Sequence, residues 1–173
     1  MGSTMVFLPI RVLHVLLAAT WLGATVFITF LLMPVVDSTG PAGGQVMIGL
    51  NKKGLNAFFA SMGGLTVLTG IYLYWRFTGG FDPAVSRSNA GMAFGIGGVA
   101  GLLATIFGGA IVGRSAKGMV ALMEQLPTIT DGARKAAIVQ EANVLKAKQS
   151  TWGMVVLLLQ VVATVLMALG HYI

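Results

Sequence analysis

VLHVLLAATWLGATVFITFLLMPVV, residues Val12 to Val36, decides the fold: it runs for 25 residues, and His14 is its only residue able to titrate near neutrality. About 20 helical residues cross the ~30 Å hydrocarbon core of a bilayer. A helix also satisfies its backbone hydrogen bonds internally where no water can. The stretch therefore reads as a membrane span. An ionisable group inside such a span is costly and is by default a candidate for function.

The rest of the chain agrees. Of its 173 residues 56% are hydrophobic and 9% charged, with a mean hydropathy of +0.87, against roughly 25% charged residues in a soluble domain. The period-2 alternation of a membrane barrel is missing. Three more segments are long enough to span, near Leu55–Phe77, Ala90–Val112 and Thr151–Ile173. Residues 1–173 are thus expected to form one domain, an all-α integral membrane bundle of four transmembrane helices. The first span is too long for the apolar core of a signal peptide and has only Arg11 before it, so it reads as part of the mature protein.

Residues 37–54, with Gly40-Pro41, and 78–89, with Gly79-Gly80 and Asp82-Pro83, read as turns. Residues 113–150 differ, because charge alternates there with apolar positions at helical spacing: Met119, Leu122, Met123 and Leu126, then Ile138, Ala142 and Leu145. Pro127 stops the first run, and Thr130 or Asp131 suits the N-cap of the second. Helices 3 and 4 are expected to extend past the membrane as a cytoplasmic hairpin projecting about 15 to 25 Å.

The net charge of +6 and pI near 10.1 follow from basic residues flanking apolar helices, which is how membrane proteins are oriented. Nucleic acid is not an expected partner. Arg11, Arg76 and Arg87 fall on one side; Lys52, Lys53, Arg114, Lys117, Arg134, Lys135, Lys146 and Lys148 fall on the other. The richer side is cytoplasmic by the positive-inside rule, which puts both ends of the chain outside, in a prokaryotic inner membrane. His14 on helix 1 and His171 at the end of helix 4, the only two histidines, then lie at the same outer level.

With no cysteine, any metal or haem must be held by nitrogen, thioether or oxygen ligands. The acidic residues Asp37, Asp82, Glu124, Asp131 and Glu141 all lie outside the spans, which excludes carboxylate-pair catalysis and a carboxylate proton relay in the bilayer. The glycines of helix 3 lack the Lys-Ser/Thr of a phosphate loop. Two imidazoles at one level on facing helices suit a cofactor site of the kind helical bundles build, and b-type haem fits best because imidazole is a standard axial ligand. His14 and His171 are the candidate iron ligands. Arg11 and Trp21 share the His14 stripe at helical spacing, Arg11 placed to meet a propionate and Trp21 to pack on the macrocycle. Met92, at the outer end of helix 3, is an alternative ligand. Each has a plainer reading: an interhelical hydrogen bond for His14, an interfacial position for His171, core packing for Trp21.

His14-Val-Leu-Leu-Ala-Ala-Thr-Trp21-Leu-Gly23 resembles the His, six residues, Trp, one residue, Gly signature that opens helix 1 in CopD-like copper-resistance membrane proteins and in the four-helix haem-containing protoporphyrinogen oxidases. The resemblance covers mainly helix 1. It implies haem ligation by His14 or, on the copper-handling side, Cu(I) held by His and Met. Where those oxidases tend to carry a Leu-Pro-Arg-like element, this chain reads Leu32-Met33-Pro34-Val35. The expected function is a membrane b-type haem protein in redox chemistry or electron transfer, with a haem-dependent oxidoreductase as its enzymatic form. Its partners would be the lipid bilayer and a quinone or soluble redox protein, and a homo-oligomer is compatible with such a bundle. The competing readings are a copper-handling protein and a cofactor-free scaffold.

Overall fold

The computed structural model describes residues 2–173 and contains helices and turns, with no strand among the described residues. Four helical rods are long and apolar enough to cross a membrane. The first is α1 (Gly2–Phe27), a π-helical turn (Ile28–Leu32) and α2 (Met33–Ser38) in continuous succession. The irregularity has a local cause: Pro34 has no N–H to give, and its ring crowds the preceding turn, so the hydrogen-bond ladder slips just upstream. The second rod is α4 (Leu55–Phe77). The third joins α6 (Asn89–Phe107), a second π-helical turn (Gly108–Gly113) and α7 (Arg114–Gln125). The fourth is α8 (Gly132–Leu169), whose 38 residues make a rod of about 57 Å at 1.5 Å per residue.

Two expectations need correction. Residues 37–54 are not a simple turn, since they hold α3 (Pro41–Lys52), an amphipathic helix opened by Pro41 and ended by Gly54 at φ +98°. That left-handed backbone is the usual glycine helix stop. Helix 4 ends at Leu169 rather than Ile173, leaving His171 in the turn beyond it. The other connection contains the single-turn α5 (Pro83–Ser86), N-capped by Asp82, while Ser88 caps α6.

The bend before α8 falls where the sequence puts it: Leu126–Thr128 form a 3₁₀ turn around Pro127, and the Asp131 side chain accepts from the Ala133 N–H at 3.0 Å to cap α8. α7 packs antiparallel on the first half of α8, with Gly118 against Leu145. Lys146 bridges to Asp37 at 2.6 Å and ties this end to the α2 corner.

Inside the bundle α6 packs most closely on α8, and α1 on α4. Trp21, Ala104 and Val156 form the centre of the core, with Phe59, Met62, Phe107 and Leu159 around them. Many other apolar side chains remain exposed, among them Leu16, Leu68, Ile96 and Leu158. A face of that composition on a soluble protein would be an anomaly. On four helices long and apolar enough to cross a membrane it is a surface suited to lipid tails.

Candidate cofactor site around His14

His14 turns toward α4. Its Nδ1 lies 3.0 Å from the Thr66 carbonyl oxygen and 3.0 Å from Thr69 Oγ1. A carbonyl oxygen can only accept, so Nδ1 carries the hydrogen. The Thr69 hydroxyl is itself directed at the Leu65 carbonyl, at 2.7 Å, which leaves its lone pairs to receive the imidazole N–H. The ring is thereby fixed in orientation and tautomer, and its other nitrogen, Nε2, has a lone pair that no hydrogen bond among the described residues engages. A metal-bound histidine has this arrangement: one ring nitrogen donates to a carbonyl or carboxylate, and the other faces the metal.

Glycine makes room for the ring. A Cβ at Gly70 would stand 3.0 Å from His14 Cε1 and 3.6 Å from Nδ1. The same device recurs two turns deeper, where a Cβ at Gly63 would come within 3.1 Å of the Trp21 ring. His14 and Trp21 are seven apart on α1, and Gly70 and Gly63 seven apart on α4, so two rings pack on two glycines in one antiparallel register.

The remaining predicted residues are not gathered about His14. Trp21 is 6% exposed and belongs to the bundle core. The Arg11 guanidinium donates to Nε2 of His171 rather than standing free for a propionate. His171 packs edge-on against Phe94, at 5.2 Å between ring centres. The contact with Arg11 shows that the start of helix 1 and the end of helix 4 share one end of the bundle, and it engages Nε2 of His171. Met92 is 48% exposed between buried Gly91 and Ala93, and so points off the bundle. Arg76 and Arg87 are exposed at the same end.

Haem is the group the sequence implies, and what His14 offers it is one oriented imidazole whose Nε2 no hydrogen bond among the described residues engages. Among the described residues no three His, Cys, Asp or Glu come together. Among the described residues, a wholly apolar cleft of about 360 Å³ and one of about 250 Å³ beside Arg11 are the most pronounced, and His14 lines neither.

One polar residue escaped the sequence reading. Gln160, midway along the apolar half of α8, is 3% exposed, and neither its Oε1 nor its Nε2 has a partner. Gly97 meets Ala163 across the α6–α8 contact, and Ala104 meets Val156 in the core, which places Gln160 at the level of Ala100. A polar residue within a run of leucine and valine was the available signal. Thr66, Thr69 and Gly70 were missed for a different reason, since their role exists only once α4 lies against α1. No protein-family model, curated protein or solved structure matches the chain.

Proposed function

We propose that this protein is an integral membrane b-type haem protein acting in electron transfer or haem-dependent oxidoreduction, with His14 as the iron ligand. One observation carries the reading: His14 is held through Nδ1–H by Thr66 and Thr69 while Nε2 is left unengaged. Donation from Nδ1 also makes Nε2 a more basic ligand. Haem would supply one-electron exchange at iron. The chain's own part is to orient the imidazole, to admit it against Gly70, and to seal the bundle beneath it with Trp21.

The excess of Lys and Arg around α3, α7 and the first half of α8 supports a cytoplasmic position for that end, and so an outward position for Arg11, His14 and His171, in a prokaryotic inner membrane. In this reading the α7–α8 pair is a cytoplasmic hairpin. With Nε2 of His171 engaged by Arg11, His14 would be the residue that holds the group. A quinol or a soluble redox protein is the partner class that an outward haem would serve.

The absorption spectrum of the protein purified in mild detergent tests the reading. A Soret band with sharpened α and β bands on dithionite reduction is expected. A colourless protein carrying copper would transfer the site to copper handling, and one carrying neither would reduce it to a scaffold.

A further inference from the structure

The larger cleft has no part in the His14 site. It opens near the other end of the bundle, between Phe27 and Ile28 at the first π-helical turn, Val46 and Leu50 on α3, and Leu55 and Phe58 on α4. Its lining is wholly apolar, and its volume of about 360 Å³ falls in the range of small-molecule sites. Phe27 and Ile28 belong to the apolar run that ends at Val36, so the cleft lies alongside a rod long and apolar enough to cross a bilayer.

Charge is concentrated at one edge. Leu50 and Leu55, which line the cleft, bracket Lys52 and Lys53 in the chain at the α3–α4 corner, just before the apolar α4 begins. Lys52 is taken by Glu124 at 2.6 Å. Lys53 is exposed and has no ion pair among the described residues. The amphipathic α3 turns Gly43 and Met47 inward and Val46 toward the cleft, as a helix lying in the interfacial plane does. An apolar slot at acyl-chain depth with a free cation at its headgroup-level edge has the complementarity of an anionic phospholipid. Basic pockets between transmembrane helices bind such headgroups.

We propose that this cleft is a specific site for one anionic phospholipid, with an acyl chain between α1, α3 and α4 and its phosphate on Lys53. The protein, purified in detergent and incorporated into nanodiscs of phosphatidylcholine with increasing phosphatidylglycerol, tests this by native mass spectrometry of retained lipid and by thermal unfolding. Saturable retention of one phosphatidylglycerol is expected, with a rise in unfolding temperature that saturates over the same range. Lys53→Gln should weaken retention about tenfold or more, and Val46→Trp, which fills the cleft, should abolish it while leaving unfolding in pure phosphatidylcholine near that of the parent. Equal retention of both lipids would overturn the proposal, as would phosphatidylglycerol retention unchanged in both variants, because either outcome describes ordinary annular lipid. Neither readout depends on haem.

Discussion

Gly70→Ala is the sharpest test of how His14 is held. The added Cβ would lie 3.0 Å from Cε1 and 3.6 Å from Nδ1 of His14, closer than carbon atoms pack at rest. The ring cannot retreat freely, because its Nδ1–H is bonded to Thr66 and Thr69 on the same helix that carries the new methyl. Moving it by a few tenths of an ångström stretches both bonds. Overpacking of this kind costs about 1–3 kcal/mol, while replacing glycine by alanine inside a helix returns about 0.8–1.0 kcal/mol. Gly64→Ala supplies the reference, since it lies on the same helix with nothing within 4 Å of its Cβ position and collects only the propensity gain. The difference between the two variants therefore isolates the ring contact, at about 1–3 kcal/mol. Denaturant unfolding in detergent micelles measures it, and the haem spectrum of each variant reports whether the imidazole has shifted. Equal stabilities within about 0.5 kcal/mol, a tenth or less of a typical total stability, would refute this description of the ring's seat.

Three further outcomes follow from the same geometry. Gln160→Met removes two buried polar atoms that have no partner at little change of shape, and should stabilise the protein by about 1–3 kcal/mol in the same unfolding assay; destabilisation would reveal a partner for the amide in the membrane. Thr69→Val keeps the shape but deletes one of the two acceptors of the His14 N–H, and should cost about 0.5–1.5 kcal/mol and broaden the haem bands, a result that an unchanged spectrum would contradict. Glu124→Gln breaks the ion pair with Lys52, whose side chains are 66% and 43% exposed, and should change stability by less than about 1 kcal/mol, with a larger loss on unfolding marking an interaction that exposure conceals.

The sequence was legible wherever one segment carried its own signal. Composition alone distinguishes the four spans, and Pro127 and Asp131 mark the bend before α8 because stopping and capping are local events. α3 was equally open to reading: Pro41 at its start, Gly54 at its end and Val46, Met47 and Leu50 at helical spacing are all visible. The glycines and prolines around it weigh toward a turn, and that bias hid it. The surroundings of His14 were not legible. Its helix-1 neighbours Arg11 and Trp21 lie on one stripe by spacing, yet Arg11 leaves to bond His171 and Trp21 enters the core. The partners it does have come from α4, and the register of α4 is set by two glycines that seat two rings. No spacing within one helix encodes that.

The central claim is that His14 Nε2 holds haem iron, and ligand rescue tests it most directly. His14→Gly should lose the Soret and α/β bands of the purified protein and regain them when imidazole is added in the millimolar range, while His171→Ala should keep them. Bands of full intensity in His14→Gly without imidazole, or a parent protein that takes up no haem, would contradict the account.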